Sequence, residues 1–435
     1  MTHPAGEDTA VTGCPVAADY DLLEPGTVAD PYPLLEQWRS RTPVFYVPRF
    51  DHYVLTRYAD VERVLLDRQT WSAANASSPL TPVCPAAQEV LSSGFDRVPT
   101  LNNSDPPRHG PMRKAVLTVM SPRRLKALEP VLRRYAGDLV ERLREQPVVD
   151  LVESFSFPFP GFAAFSLLGF PPADTDMLKD WSRNRVLLTY GRLPEDQQVA
   201  TAQDVLAMWK YVEAFVAGRW ASPADDLTSD LVRLAREKPE QLNQFDIVNI
   251  VYSMALAGHE TTCNTIGNGI LALLRRPGQW QRLIEDPSLI DNAVEEILRF
   301  DGPVLYHRRI AKVDTEVGGV RIPAGAKVMM AFASADHDQA QFGDDADDFR
   351  VDRADAELHL GFGKGPHLCL GAPLGRLETR LALELLTTLT PGIELVPGQE
   401  VHYSPNALFR GPTALLVAPS GVRHAQLVGA LPVVP

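Results

Sequence analysis

Only four cysteines occur in the 435 residues, Cys14, Cys84, Cys263 and Cys369, and none sits in a CxxC pair or at metal-finger spacing. That excludes a disulfide-built scaffold and suits a reducing cytosol. Positive charge is in deficit, with a formal net charge of -13. Nucleic acid is thereby excluded as the main partner, because phosphate binding needs a basic surface. Long apolar runs are missing too. The most apolar stretch, 247–274, is interrupted by Asn249, His259, Glu260 and Asn264, which argues against a bilayer span. The opening residues MTHPAGEDTAVTG have neither the charged start nor the apolar stretch of a signal peptide. There is no Gly/Ser-rich linker, block of like charge or internal repeat to divide the chain. A soluble protein with one cooperative unit is expected, residues 25–435, preceded by a poorly ordered tail over 1–24.

What is present is ordinary for a globular enzyme, 45% hydrophobic and 22% charged residues. Basic residues gather between Arg108 and Arg134 (Arg113, Lys114, Arg123, Arg124, Lys126, Arg133 and Arg134), and read mainly as solvated helix faces. Residues 29–70 predict a helix, two strands around 44–47 and 52–56, and a further helix from Tyr58. Residues 72–103 lack a sustained period and read as a long functional loop. Helical patterns fill 105–299. The longest has Asn243 as N-cap and Asp246 in its first turn, and it predicts one unbroken helix to Leu273, where Pro277 ends it. Strands follow Arg299, a last helix spans about 370–389, and 393–418 predicts hairpins. The expected fold class is mainly α with a small antiparallel β part.

Five segments carry chemistry. The first is Phe362-Gly363-Lys364-Gly365-Pro366-His367-Leu368-Cys369-Leu370-Gly371. A lone cysteine before a helix is ordinarily a small buried hydrophobe, but the glycines at 363, 365 and 371 imply a tight turn approaching something flat and large. The helix that follows points its positive end at the sulfur, favouring thiolate. The second is Ala257-Gly258-His259-Glu260-Thr261-Thr262, an acid and a hydroxyl on an otherwise apolar helix face. The third is Glu296-Ile297-Leu298-Arg299, an i, i+3 pair that by itself is a common surface salt bridge, with Arg353 further along. The fourth is His109-Gly110-Pro111-Met112-Arg113 after Asp105-Pro106-Pro107, and the fifth is 317–325, ending in a Pro-Ala-Gly turn.

Together these segments resemble the cytochrome P450 superfamily over roughly residues 25–420. The resemblance implies that family's single, triangular-prism-like domain. It implies haem b with Cys369 as the metal ligand, a thiolate whose electron donation favours O–O cleavage. It places Phe362, Gly363 and Gly371 around the cofactor, and Ala257 and Gly258 in an oxygen-binding groove where the helix is locally opened. His109, Arg113, Arg309 and His367 correspond to propionate contacts, with Arg308 adjacent to Arg309 as the ambiguity. Glu260 and Thr261 correspond to catalytic proton-relay residues, with a free threonine hydroxyl, and Glu296, Arg299 and Arg353 to a structural triad. Candidate pocket residues are Leu80, Val98, Leu188, Ala257, Val304, Leu305 and Phe409. Arg97, Arg183, Arg185 and Arg192 read as solvated, with a carboxylate-holding role as the alternative.

The implied activity is monooxygenation of an organic small molecule using O2. NAD(P)H is needed only indirectly, through a ferredoxin or flavodoxin and its reductase, which the basic cluster would steer. A monomer is the family's usual form. A peroxide-driven peroxygenase of the same fold and a haem-thiolate gas sensor are the alternatives; the retained Glu260 and Thr261 argue against both.

Overall fold

The computed structural model describes residues 14–421. Five strands form the main sheet: β1 (Val44–Val47), β2 (His52–Leu55), β3 (Trp71–Ser72), β4 (Tyr306–Ala311) and β5 (Lys327–Ala331), in spatial order β1-β2-β5-β4-β3. β2 is buried along its whole length, as a strand covered on both faces requires. Three of the four pairings are antiparallel, but β2 runs parallel to β5 with Tyr53 opposite Val328. This corrects the antiparallel expectation. The two strands are joined through the whole helical body, so no short turn dictates their direction. Glu316 and Arg321 face each other in a separate hairpin, Thr315–Val317 with Val320–Ile322. Its turn is Gly318-Gly319, at φ 55° and 79°, where a side chain would be strained. Within 393–418 an antiparallel pairing is present, Glu394–Leu395 against Leu416–Ala418.

Two other expectations are revised. Residues 14–24 are packed, not a loose tail: Val16 bridges Tyr46, the Ala17 amide donates to the Tyr46 carbonyl at 2.8 Å, and Tyr20 and Leu22 are buried. Residues 1–13 lie outside the described residues. The 72–103 segment contains a helix, Pro85–Ser92, in which only Ala87 is buried. One buried position in two turns leaves no apolar period to read.

The helical body contains α1 (His109–Val119), α2 (Pro122–Arg144), α3 (Thr175–Tyr190), α4 (Glu195–Ala221), α5 (Gln244–Ala257), α6 (Glu260–Leu274), α7 (Ile290–Phe300) and α8 (Ala372–Leu389). Pro111 lies in the first turn of α1, where its missing N–H costs nothing. The Asn243–Asp246 capping box is present, with reciprocal bonds of 3.0 and 3.1 Å. The single helix expected from Asn243 to Leu273 is two, α5 and α6, interrupted at Gly258-His259. Two local interactions accompany the break. The Thr261 hydroxyl donates to the Ala257 carbonyl at 2.8 Å, an i−4 side-chain bond that competes with the ladder. A Cβ on Gly258 would meet Ala164 at 3.2 Å, so the glycine lets this turn approach the helix beneath it. The largest apolar core lies among the helices, with Trp209 fully buried.

Candidate active site

The segment 362–371 turns tightly where the sequence places its glycines. Gly363 and Gly365 have φ of 67° and 70°, and the Cys369 amide donates to the Phe362 carbonyl at 2.9 Å. Cys369 opens into a cavity of about 360 Å³ whose wall also includes Phe362, Gly363, His367, Gly371, Arg113, Arg309, Ala257, Gly258, Glu260 and Thr261. Segments separated by more than 250 residues thus converge on one apolar space. The helix terminus alone does not make the sulfur a thiolate. Burial pushes the Cys369 thiol up, and the amides of Gly371 and Ala372, with Arg113 and Arg376, only partly oppose it. The charge of a bound metal would remove a ligating thiol's proton outright.

A second cluster lies beside the cysteine loop. The imidazoles of His109 and His367 stack with centroids 4.1 Å apart, and Arg113 donates to the Leu368 carbonyl at 2.7 Å. Arg309 reaches His307 Nδ1 at 2.9 Å and lines the cavity, whereas Arg308 bonds to the Ala76 and Ser78 carbonyls at 3.3 and 2.5 Å. Strand alternation resolves the Arg308/Arg309 ambiguity. Burial, then the Arg309 charge, lowers His367 to about 3, and His109 is lowered as well. Both rings are therefore neutral, and His109 Nε2 and His367 Nδ1 are buried without partners. Two guanidiniums and two imidazole edges of this kind fit a pair of carboxylates.

Across the cavity, Glu260 is buried and its Oε2 has no partner. Burial raises its carboxyl to about 7, with Arg183 acting the other way. The Thr261 hydroxyl proton is committed to Ala257, which corrects the expectation of a free hydroxyl; its oxygen can still accept. Glu296, Arg299 and Arg353 form a buried charged cluster. Glu296 binds Arg299 at 2.6 Å and Arg353 at 3.3 Å, with all three side chains 0–2% exposed. Arg299 also donates to the carbonyls of Asp336 and Ala346 at 2.8 and 2.7 Å, which ties α7 to the segment before the cysteine loop.

Among the candidate pocket residues, Ala257, Val304 and Phe409 line the cavity. Leu80 and Leu305 pack in the core under the sheet, Leu188 packs against Cys84 and Ala202, and the Val98 amide is held by Asn249. Val98, Leu188 and Leu305 are one-residue errors of facing, beside Arg97, Thr189 and Val304, whereas Leu80 lies three residues beyond the cavity-lining Ser77. One functional contact had no sequence signal. Glu295 pairs with Arg376 at 2.7 Å and His359 at 3.1 Å, and Arg376 lies 4.7 Å over the Phe362 ring. Burial alone would raise the Glu295 carboxyl, but Arg376 and His359 outweigh it and hold it near 2. Arg183 stacks on Phe157 and Arg192 pairs with Asp21, while Arg97 and Arg185 line the cavity, against the solvated reading.

A thiol on a glycine-turned loop, a carboxylate-binding cluster beside it and an acid–hydroxyl pair opposite define a haem-thiolate oxygenase site. The comparisons with known proteins agree. The family model described as Cytochrome P450 matches residues 213–388. Cytochrome P450 monooxygenase PikC of Streptomyces venezuelae is 34% identical over 417 residues, 93% of this chain and 94% of that protein. The structure of cytochrome P450 CREJ in complex with (4-ethylphenyl) dihydrogen phosphate superposes with a TM-score of 0.88 at 35% identity, covering 91% of this chain and 98% of that one. An intact type IV self-sufficient cytochrome P450 monooxygenase gives 0.90 at 36%, with this chain covering 57% of that longer one. The chain belongs to the cytochrome P450 family. It is a haem-thiolate monooxygenase, using haem iron and O2 to oxidise an organic small molecule. No helix among the described residues is long and apolar enough to cross a membrane.

Proposed function

We propose that haem b is held by Cys369 together with the propionate contacts His109, Arg113, Arg309 and His367, and that Glu260 and Thr261 deliver the protons the reaction consumes. The observation carrying this reading is the convergence of Cys369, Arg113, Arg309, His367, Glu260 and Thr261 on one cavity, with His109 stacked on His367 beside it. The prosthetic group, when bound, supplies dioxygen activation. The protein's own contribution is to exclude water with an apolar wall, to orient the substrate between Ala257, Val304 and Phe409, and to hold a proton at the Glu260 carboxyl. A carboxyl near 7 is protonated below neutrality and ionised above, which suits reversible proton transfer at the working pH. Thr261 would accept from the cavity while its own proton stays on Ala257.

The test is the coupling of NADPH consumption to product in the reconstituted system. Product per NADPH is expected to fall as pH rises through about 7, and Glu260→Gln to flatten that profile. Thr261→Ala is expected to lower coupling about tenfold or more, the electrons appearing as hydrogen peroxide. Unchanged coupling in both variants would remove the relay from the mechanism. Full turnover with peroxide alone would favour the peroxygenase reading.

A separate ferredoxin or flavodoxin with its reductase, in a cytosolic setting, would supply the electrons. Lys114, Arg123, Lys126 and Arg134 are exposed and form no ion pair among the described residues. Arg124 is taken by Asp225 and Asp230, and Arg133 by Glu129 and Glu384. Lys114 is on α1, whose Arg113 reaches the cysteine loop, and Arg123, Lys126 and Arg134 are on α2, which follows it. Arg123→Glu is expected to slow reduction by an acidic ferredoxin about tenfold at low ionic strength and little at high. Equal rates at low salt would place the docking face elsewhere.

A further inference from the structure

Four arginines line the cavity and none forms an ion pair among the described residues; Arg113 and Arg309 belong to the carboxylate-binding cluster, which leaves Arg97 and Arg185. Arg97 precedes the short turn at Leu101–Asn103, and Arg185 is on α3. Their surroundings are aromatic: the Arg97 guanidinium lies 5.9 Å from the Tyr252 ring centre and that of Arg185 5.8 Å from Phe95. Arg97 reaches the Ser253 hydroxyl on α5 at 3.4 Å, and Arg185 touches the Thr189 hydroxyl one turn along its own helix. The Nε atoms of both are buried without a hydrogen-bond partner, and neither residue forms an ion pair among the described residues. The charged and titratable groups acting on Arg97 are Arg185 and the phenols of Tyr252 and Tyr190, with no carboxylate among them.

Arginines buried away from the cavity have acids or carbonyls as partners, although Arg308 also leaves its Nε unpaired. Arg299 and Arg353 have Glu296, Arg410 has Asp301, and Arg39 and Arg308 have backbone carbonyls. Arg97 and Arg185 are also distinct from the propionate cluster, since His367 responds to Arg309, His109, Asp105 and Arg113. Two adjacent cations in an apolar wall are costly unless an anion joins them. Consistent with that cost, burial and then the Arg185 charge pull Arg97 down to about 10.

We infer that Arg97 and Arg185 form an anion-binding subsite, and that the substrate is a small molecule with a carboxylate or phosphate monoester at one end of an apolar body. This rests on the cavity being the oxygenation site. The guanidiniums supply forked N–H donors suited to an oxyanion. Ser253, which accepts from Arg97, has its own proton free to add a further bond. The apolar body then lies along Ala257, Val304 and Phe409, which present its C–H bonds. A phosphate monoester, close to doubly charged at neutral pH, matches two cations more fully than a carboxylate does.

The experiment uses the haem-loaded protein and three matched ligands, 4-propylphenol, 4-propylbenzoate and 4-propylphenyl phosphate, with binding followed by calorimetry and by the Soret spectrum. At least one anion is expected to bind about tenfold or more tighter than the phenol. The stronger of the two identifies which oxyanion the subsite takes. Arg97→Gln and Arg185→Gln are each expected to erase that preference while changing phenol binding less than about threefold. Arg192→Gln, whose side chain pairs at the surface with Asp21, should leave the preference intact. Absence of any anion preference, whether all three bind alike or none binds, overturns the inference, as does a preference that survives both substitutions. The ferrous carbon-monoxide spectrum of the same samples separates the two readings. A thiolate-type spectrum without anion preference sinks the subsite alone, and absence of that spectrum sinks the haem-thiolate site on which it rests.

Discussion

Cys369→Ser is expected to reduce oxygenation below about a thousandth of the wild-type rate, a loss of more than about 4 kcal/mol of transition-state stabilisation, while leaving the fold in place. The backbone of the loop is held independently of the sulfur, by the Cys369 amide on the Phe362 carbonyl at 2.9 Å and by the left-handed glycines 363 and 365. A serine oxygen is smaller than sulfur and fits the same position. It is also a much weaker acid than a thiol and a poorer electron donor, so the push that drives O–O cleavage is lost. The measurements are product formation, the ferrous carbon-monoxide spectrum and thermal melting of the same preparation. Loss of the first two with a melting point within a few degrees of wild type is the expected result. Normal turnover would show that Cys369 is not the ligand.

Glu296→Ala has the largest expected effect on stability. Its carboxylate is the shared counter-ion of Arg299 and Arg353, and none of the three side chains is more than 2% exposed. Removing the acid strands Arg299 and leaves Arg353 with only the partly exposed Asp345 and Asp355, and breaking a buried pair costs about 3–5 kcal/mol. That is a large share of the roughly 5–15 kcal/mol by which a typical domain is stable. The damage would concentrate where Arg299 anchors the carbonyls of Asp336 and Ala346, so haem incorporation should fall together with stability. The comparison is Arg282→Ala, whose partner Asp352 is at 2.8 Å with both side chains about 40% exposed. Solvent screens that pair, and its loss should cost at most about 1 kcal/mol. Denaturant midpoints with bound-haem content measure both. Similar small losses for the two variants would mean that the triad is dispensable.

The legible part of the site consisted of residues whose spacing is set within one turn or one loop. The glycine-cysteine segment at 362–371, the capping box at Asn243 and Asp246, and the i, i+3 pair Glu296–Arg299 are local, so their chemistry is written in neighbouring residues. The break at Gly258-His259 was implied only by the family resemblance and was hidden from the residue pattern, because the apolar period continues across it. The interruption comes from one hydroxyl bond and one close helix contact, neither of which changes hydrophobicity. The α3 residues facing the cavity were missed because a helix is read from its own apolar stripe, whereas here two different neighbours share it. Leu188 faces the small cluster with Cys84, and Arg185 and Thr189 face the cavity.

By itself the sequence determined the mainly helical character, the glycine-turned cysteine loop and the acid–hydroxyl pair, because these depend on composition, period and fixed short spacings; the roles of the last two came from the family resemblance. Only the tertiary structure decided that β2 and β5 run parallel, that Arg309 and not Arg308 enters the cavity, that Glu295 joins Arg376 and His359, and that Arg97 and Arg185 meet without an acid. Each of these is a relation between residues about 60 or more positions apart. Which side chains meet at that separation depends on how elements pack against one another, and burial then sets the charge and the strength of each contact.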